Sequence, residues 1–262
     1  MPGEQSYKEI RLTRIMKEKK EKEEISDIIV QESFLSIILN EEKLITLKCT
    51  PENYDYLGIG FLYTSGILQK KEDIDSVVVN EEQHTIKIKA KNIYSPLEGS
   101  LRDSLISRRS NIVDEKLISK LLLVKRFLKV ESGIIFSLMH TMQKRAKLFK
   151  LTGGVHSCAL ANQQGSIMLF SEDISRYNTI DKILGEAFLK NIPREDKIIL
   201  TSCRITSDIL IKIALGRVPI IISRAAPTDQ AIELAQKIGI TLVGFVRGER
   251  MNIYTHPERI EV

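Results

Sequence analysis

Apolar and polar residues alternate through the first third of the chain, with one longer apolar stretch among them. Alternation with a period of two is typical of half-buried strands, and a proline before an apolar run is typical of a helix start. The predicted elements are a hairpin over 27–49 turning at Asn40, a helix from Pro51 through Tyr63 closed by Gly66, and strands at 75–79 and 85–89. These elements predict a small α/β domain over residues 25–92.

The second half of the chain alternates helical and strand patterns. The predicted helices are 115–128, 133–147, one starting near Gly154, 177–189, 206–215 and 227–239, and the predicted strands are 167–170, 197–201, 218–223, 241–246 and 252–254. Strands and helices in this order predict an α/β sandwich with helices on both faces of the sheet. This second domain is assigned to residues 114–262.

Two segments show neither pattern. Residues 1–24 are basic, end in the charge run KEKKEKEE and are predicted to be flexible. Residues 93–113 contain Pro96, Gly99 and Arg108-Arg109, and are predicted to be an inter-domain loop; a role for the two arginines stays open.

Composition narrows the class of protein. The 262 residues carry a net charge of +5, and no apolar stretch reaches membrane-spanning length. The first residues lack a signal-peptide pattern, and the three cysteines are few and widely spaced, which predicts a cytoplasmic protein. Aromatic residues make up only 6% and tryptophan is absent, which argues against nucleic-acid binding.

The stretch from Thr152 to Lys182 carries the densest chemistry. It reads TGGVHSCAL and then, after ten further residues, SEDISRYNTIDK. The glycines would let backbone N–H groups approach an anion, and the apolar run after them is interpreted as a helix that starts there. Arg176 and Lys182 supply cationic donors, which acidic and amide side chains nearby could orient. The pattern predicts a site for a charged ligand.

These residues resemble a known family. TGGVHSCAL and EDISRYNTIDKILG resemble the FdhD/NarQ-like sulfur carriers, the formate dehydrogenase accessory proteins. The resemblance continues in CTPENYDYLGIGFLYTSGIL (49–68), TSCRITSDIL (201–210), SRAAPTDQAIELAQKIGITLVGFVRG (223–248) and MNIYTHPERI (251–260). It implies a cytidine-deaminase-like three-layer sandwich with a smaller N-terminal α/β domain, and it implies a homodimer.

The resemblance also implies a function. Such a protein binds the molybdenum cofactor as bis-molybdopterin guanine dinucleotide, or GDP in its place. It passes sulfur from a cysteine desulfurase to the cofactor before insertion into apo formate dehydrogenase. The expected cofactor-binding residues are Thr152, Gly153, Gly154, His156, Asp173, Arg176, Asn178, Asp181, Lys182, Ser223, Arg224, Pro227, Thr228, Asp229, Phe245, Val246, Arg247, Gly248, Glu249 and Arg250.

Physical chemistry supports part of that set and leaves simpler interpretations open. Phe245 could stack on a ring while Arg247 and Arg250 hold phosphates, or the segment is a basic turn. Thr228 or Asp229 could instead cap a helix, and Asp181-Lys182 could be a surface pair.

One departure from the family is plain. The family carries a Cys-x-x-Cys between its two domains, where the persulfide travels, but GSLRDSLISRRSNIVDEK (99–116) contains no cysteine. Only a thiolate supports this exchange chemistry. Cys158, expected near a helix N-terminus and close to His156, is a weak candidate for a replacement nucleophile.

Three alternatives therefore stay open. The chain is a cofactor chaperone without persulfide chemistry, a guanine-nucleotide-responsive adaptor, or a degenerate zinc nucleoside deaminase. The deaminase is disfavoured because Ser157 and Cys158 follow His156 where a glutamate is required, and Cys203 has no second cysteine three residues on. No metal site is predicted.

Overall fold

The structure is a computed structural model that describes residues 6–17, 21–93 and 128–262. Its N-terminal elements are β1 (Tyr7–Met16), β2 (Glu21–Val30), β3 (Ser33–Leu39), β4 (Glu42–Cys49), α1 (Tyr54–Thr64), β5 (Ile74–Asn80) and β6 (Thr85–Ala90). The predicted loop 93–113, which contains Arg108 and Arg109, lies outside the described residues except for residue 93. The predicted helix 115–128 also lies outside them except for residue 128.

The C-terminal elements surround a larger sheet. They are β7 (Val130–Glu131), α2 (Ser132–Arg145), α3 (Lys147–Thr152), β8 (His156–Asn162), β9 (Ile167–Asp173), α4 (Arg176–Leu189), β10 (Lys197–Thr201), α5 (Ser207–Leu215), β11 (Ile220–Ser223), α6 (Asp229–Ile238), β12 (Thr241–Arg247), β13 (Arg250–Thr255) and β14 (Ile260–Glu261). The structure is thus a mixed α/β protein, as predicted.

The predicted hairpin is confirmed. β3 and β4 pair antiparallel and lie in a four-stranded sheet of order β4-β3-β6-β5. Asn40 and Glu41 link them with positive φ angles of 48° and 74°. Two consecutive left-handed residues give the turn whose twist matches the flanking strands.

The larger sheet has six strands in the order β13-β12-β11-β10-β8-β9. β10, β11 and β12 run parallel, while β8 and β13 run against them. Their apolar runs are continuous because both faces are covered. Ile199, Ile221 and Leu242 face α4, α5 and α6, and the alternating residues Ile198, Ile220 and Val243 lie in a second cluster with α2.

The two sheets share one hydrophobic core through the contact of α1 with α4. A Cβ atom on Gly60 would lie 1.8 Å from the Asp181 carbonyl oxygen, and one on Gly185 would lie 2.1 Å from the Tyr56 carbonyl oxygen. The two helices approach this closely because neither glycine has a side chain at the crossing. The cluster that contains Leu35 and Ile37 of the small sheet therefore continues to Ile199 of the large one.

Two sequence predictions differ from the structure. The expected helix near Gly154 is wrong, because residues 156–162 form β8, a central strand of the large sheet. A short apolar run without clear alternation fits a buried strand as well as a helix. The predicted flexible N-terminus also differs, since β1 and β2 pair over ten residues as a largely exposed ribbon.

No helix among the described residues is long and apolar enough to cross a membrane.

A cationic cleft at the carboxyl edge of the large sheet

Strand direction brings the sequence segments of interest to one edge of the large sheet. β9, β10, β11 and β12 all end there, and β8 begins there, as the pairings of Thr201 with Cys158 and Ser223 show. Loops after strand ends are where open α/β sheets bind ligands. Residues near 156, 173–176, 223–225 and 245–247 therefore lie at one edge of the large sheet.

A cleft of about 620 Å³ opens at this edge. Glu32 and Lys48, next to the small sheet, form one wall, and the large-sheet loops form the other. Its lining residues are Glu32, Lys48, His156, Ile174, Ser175, Arg176, Tyr177, Ser202, Cys203, Arg204 and Ala225. Of the predicted site residues, His156 and Arg176 line the cleft directly.

The cleft carries an excess of positive charge. Its one lining carboxylate, Glu32, pairs with Lys48 at 2.8 Å, whereas Arg176 and Arg204 pair with no carboxylate among the described residues. Arg176 lies over the Tyr177 ring and donates to its hydroxyl at 2.9 Å. Guanidinium groups held without a carboxylate partner suit an anionic, phosphate-bearing ligand.

Arg224 and Arg247 add to this positive edge. The buried Nε atom of Arg224 has no hydrogen-bond partner within the described part of the chain. Arg247 donates from its Nε atom to the Arg224 carbonyl oxygen at 3.0 Å and lies over the Phe245 ring. Phe245 itself has a positive φ of 54°, a conformation that a bulky residue rarely adopts.

His156 is half-buried beside these cations. Burial lowers the pKa of its imidazole, and the positive charge of Arg176 lowers it further, although the Asp173 carboxylate opposes both effects. The side chain therefore favours its neutral form, so that at neutral pH it presents a hydrogen-bonding group and not a further cation.

Asp173, Asn178 and Lys182 do not reach the cleft. The Lys182 ammonium binds the Asp173 carboxylate at 2.7 Å, and Asn178 donates to the other carboxylate oxygen at 2.9 Å. All three side chains are buried. This geometry contradicts the prediction that these three side chains contact the ligand, because their polar atoms already bind each other.

Asp181 is likewise internal. Its carboxylate accepts a hydrogen bond from Thr64 at 2.6 Å and pairs with Lys212 at 2.8 Å. The pair links α4 to α1 and α5, and its carboxylate is buried. Two interpretations of Asp181 from the sequence, a ligand contact and a surface pair with Lys182, do not match this internal pair.

The glycine pair ends a helix instead of starting one. Gly153 has φ of 65° and donates to the Phe149 carbonyl oxygen at 2.8 Å, as a left-handed C-terminal residue of α3. Thr152 donates to the Leu148 carbonyl oxygen, and Gly154 lies against Val30 of the ribbon. A helix C-terminus carries partial negative charge, so the anion site predicted here loses its basis.

The remaining predicted residues lie at the same edge but outside the cleft lining. Thr228 accepts a hydrogen bond from the Ala231 amide and caps α6, as the simpler interpretation holds. Ser223 is buried and donates to the Cys203 carbonyl oxygen at 2.6 Å. Pro227, Asp229, Val246, Gly248, Glu249 and Arg250 occupy the start of α6 and the β12–β13 hairpin. Ligand contact by these residues stays a prediction.

All three cysteines are free and buried. Cys158 lies inside β8, where burial raises the pKa of its thiol well above the usual range. The argument for its reactivity, a helix N-terminus, is therefore wrong. Cys203 lines the cleft, with its Sγ atom 3.1 Å from the Thr201 hydroxyl, and burial raises its pKa as well.

Nine of the eleven lining residues were not among the predicted site residues, including the polar residues Lys48, Ser202 and Arg204. The position of Ser202 and Arg204 directly after β10 could have found these two, because loops after strand ends are where open α/β sheets bind ligands. No group of three or more His, Cys, Asp or Glu side chains in the described ranges is arranged to hold a metal ion.

Together, these observations define a mixed α/β protein with a cationic cleft at the strand ends of its large sheet. The sequence profile of the FdhD/NarQ family matches residues 30–261, and the chain belongs to this family. The sulfur carrier protein FdhD of Listeria monocytogenes serotype 4b is 37% identical over 91% of this chain and 93% of its own length. Those of Shouchella clausii and Saccharolobus solfataricus are each 33% identical, with 91% of their own lengths covered.

A solved structure agrees with this assignment. The crystal structure described as a formate dehydrogenase accessory protein from Desulfotalea psychrophila superposes with a TM-score of 0.82 at 26% identity. The match covers 98% of this chain and all of the other. The predicted family is confirmed.

Proposed function

We propose that this protein is a formate dehydrogenase maturation factor that binds the molybdenum cofactor as its cargo in the cationic cleft. The observation that carries the proposal is that Arg176 and Arg204, from two family segments, meet in one cleft without carboxylate partners among the described residues. The cargo is bis-molybdopterin guanine dinucleotide, whose phosphates match such donors. The buried Nε atom of Arg224 at the same edge, which has no hydrogen-bond partner within the described ranges, fits the same ligand class.

The cytidine-deaminase-like sandwich is part of this proposal. Helices α4, α5 and α6 against one face of the large sheet, and α2 against the other, support it. Deaminase chemistry gains no support, because Ser157 and Cys158 follow His156 and the described residues hold no cluster of metal ligands.

A second candidate is a cofactor chaperone that transfers no sulfur. The observation that favours it is the burial of Cys49, Cys158 and Cys203, in a chain whose segment 99–116 has no cysteine. A buried thiol with a raised pKa is a poor nucleophile for persulfide exchange.

The proposed partners follow from the names of the relatives and from the family. They are a cysteine desulfurase, apo formate dehydrogenase and a second copy of this chain, all in the cytoplasm.

Calorimetric titration with GDP tests the cleft. We expect Arg176→Ala and Arg204→Ala each to weaken binding at least about tenfold, because each removes charge-assisted hydrogen bonds to phosphate. Arg217→Ala is the matched control: it removes one positive charge at the start of β11, the opposite edge of the sheet. Equal affinity in all four proteins would place the ligand elsewhere.

A cysteine-free variant separates the two candidates. Cys49→Ala, Cys158→Ala and Cys203→Ala would be combined, and formate dehydrogenase activity measured in cells that lack their own copy of the factor. Retained activity supports the chaperone, whereas loss of activity with unchanged GDP binding supports sulfur transfer through one of the three thiols. Single variants then identify which thiol acts.

A further inference from the structure

The Asp173 carboxylate is the centre of a buried hydrogen-bond network. Its Oδ2 atom binds Lys182 Nζ at 2.7 Å and accepts from the Thr50 amide at 3.1 Å and the Thr50 hydroxyl at 3.0 Å. Its Oδ1 atom accepts from the Ser175 amide and from Asn178, both at 2.9 Å. Every acceptor site that a carboxylate offers is thus used.

This network joins the two walls of the cleft. Thr50 follows β4, and Asn178 donates a second hydrogen bond to the Lys48 carbonyl oxygen at 2.7 Å. Lys48 is on the wall next to the small sheet, and Ser175 and Arg176 are on the wall of the large sheet. Asp173 therefore does not line the cleft, but it binds the backbone beside residues of both walls.

From this geometry we infer that Asp173, held in place by Lys182, is a positioning residue that fixes the Lys48 wall and the Arg176 wall relative to each other. The ligand part of this inference rests on the proposed function. Arg176 starts α4 directly after the Ser175 amide that Asp173 binds, so the carboxylate sets where the guanidinium enters the cleft. Lys182 neutralises the charge of the buried carboxylate, which would be unfavourable to bury without a counter-ion.

The chain offers a matched control for a purely structural role. Asp181 and Lys212 form a second internal carboxylate–ammonium pair at 2.8 Å, with the carboxylate buried and the lysine side chain 14% exposed, which also links the N-terminal third to α4. Neither residue lines the cleft. Lys182→Met and Lys212→Met thus make the same chemical change in two internal pairs, only one of which binds the cleft walls.

The first measurement needs no ligand. Amide hydrogen exchange at Thr50 and Ser175 reports directly on the two backbone bonds to Asp173. We expect exchange at both amides to be at least about tenfold faster in Lys182→Met and Asp173→Asn than in Lys212→Met, compared at equal global stability, because a bond to a charged acceptor is worth that factor or more. If Asp173→Asn does not fold, Lys182→Met alone decides.

The second measurement is GDP affinity in the same proteins. We expect Lys182→Met to bind GDP at least about tenfold more weakly than Lys212→Met, through loss of alignment of the walls. Exchange at Thr50 and Ser175 equal to the control, or faster exchange with unchanged GDP affinity, would overturn the positioning role. Absence of GDP binding in the unaltered protein would instead reject the proposed function, and the exchange comparison would then decide the positioning role by itself.

Discussion

The crossing of α1 with α4 and the cationic cleft both join the N-terminal third of the chain to the large sheet, but with opposite chemistry. At the crossing, glycines allow backbone contact, and the polar groups of Asp181, Thr64 and Lys212 bind one another. At the cleft, Arg176 and Arg204 have no carboxylate partner in the described structure.

The difference separates residues that stabilise the fold from residues free to bind a ligand. A buried polar group with all its bonds made contributes to a single arrangement of the chain, and removing its partner is costly. A cation at an open edge contributes little to stability, since water solvates it well. We therefore expect changes at the crossing to affect unfolding and changes at the cleft to affect binding.

The largest effect is expected for Gly185→Ala. The new Cβ atom would lie 2.1 Å from the Tyr56 carbonyl oxygen and 2.6 Å from the Gly60 amide nitrogen, so the helices must separate. We expect a loss of more than about 3 kcal/mol in the free energy of unfolding, measured by urea denaturation. Gly133→Ala is the control, because a Cβ atom there meets nothing within 4 Å. A similar stability for both variants would show that the crossing is not tight.

Asp181→Ala should follow, with a loss of about 3 kcal/mol, because the Lys212 ammonium, whose side chain is only 14% exposed, then lacks its counter-ion. Asp75→Ala is the control. It removes the same side chain from a pair with Lys91 in which both side chains are well exposed, at 41% and 66%, so the expected change is below about 1 kcal/mol. Thermal unfolding followed by circular dichroism measures both, and equal losses would contradict the role given to burial.

Much of this architecture could be predicted from the sequence, and the errors have physical causes. The strand 197–201 was predicted with its observed bounds, since a continuous apolar run between turn residues leaves few alternatives. Residues 156–162 were mistaken for a helix because a strand buried on both faces shows neither the period of an amphipathic helix nor the alternation of a half-buried strand. The position of the polar segments at one edge of the sheet follows from strand direction.

The side chains of the site were harder to predict than its location. A sequence shows that Asp173, Asn178 and Lys182 are polar and close along the chain, which favours a ligand. It does not show that Thr50, more than a hundred residues away, donates two hydrogen bonds to Asp173. Whether a polar group is already satisfied depends on such long-range partners, so burial could not be foreseen at these positions.

Arg204→Ala should weaken GDP binding and leave the stability of the fold nearly unchanged, the opposite of what is expected for changes at the crossing. Because Arg204 is exposed, we expect the free energy of unfolding to change by less than about 0.5 kcal/mol. The stabilisation conferred by GDP should fall by about 1.4 kcal/mol for a tenfold loss of affinity. Melting temperatures with and without GDP measure both quantities. A large loss of stability without GDP would contradict the separation between the two regions.

The smallest effect concerns His156, whose pKa is lowered in the folded protein by burial and by Arg176. Below the ordinary value of 6.5 the unfolded chain binds a proton that the folded chain resists, so the free energy of unfolding falls as pH decreases through the window beneath 6.5. His156→Gln should reduce this slope, measured by urea denaturation at several pH values. An unchanged slope would show that other groups set the acid sensitivity.

Binding of GDP should act on the same group in the opposite direction. A bound phosphate offsets the charge of Arg176, removing one cause of the lowered pKa, so His156 takes up protons on binding and affinity rises as pH falls. Calorimetry in two buffers of different ionisation enthalpy measures this uptake. The phosphate titrates near pH 6 by itself, but that contribution is common to both proteins. Equal proton uptake by the unaltered protein and His156→Gln would therefore show that GDP binding does not change the protonation of His156. That result would not affect the role given to the arginines.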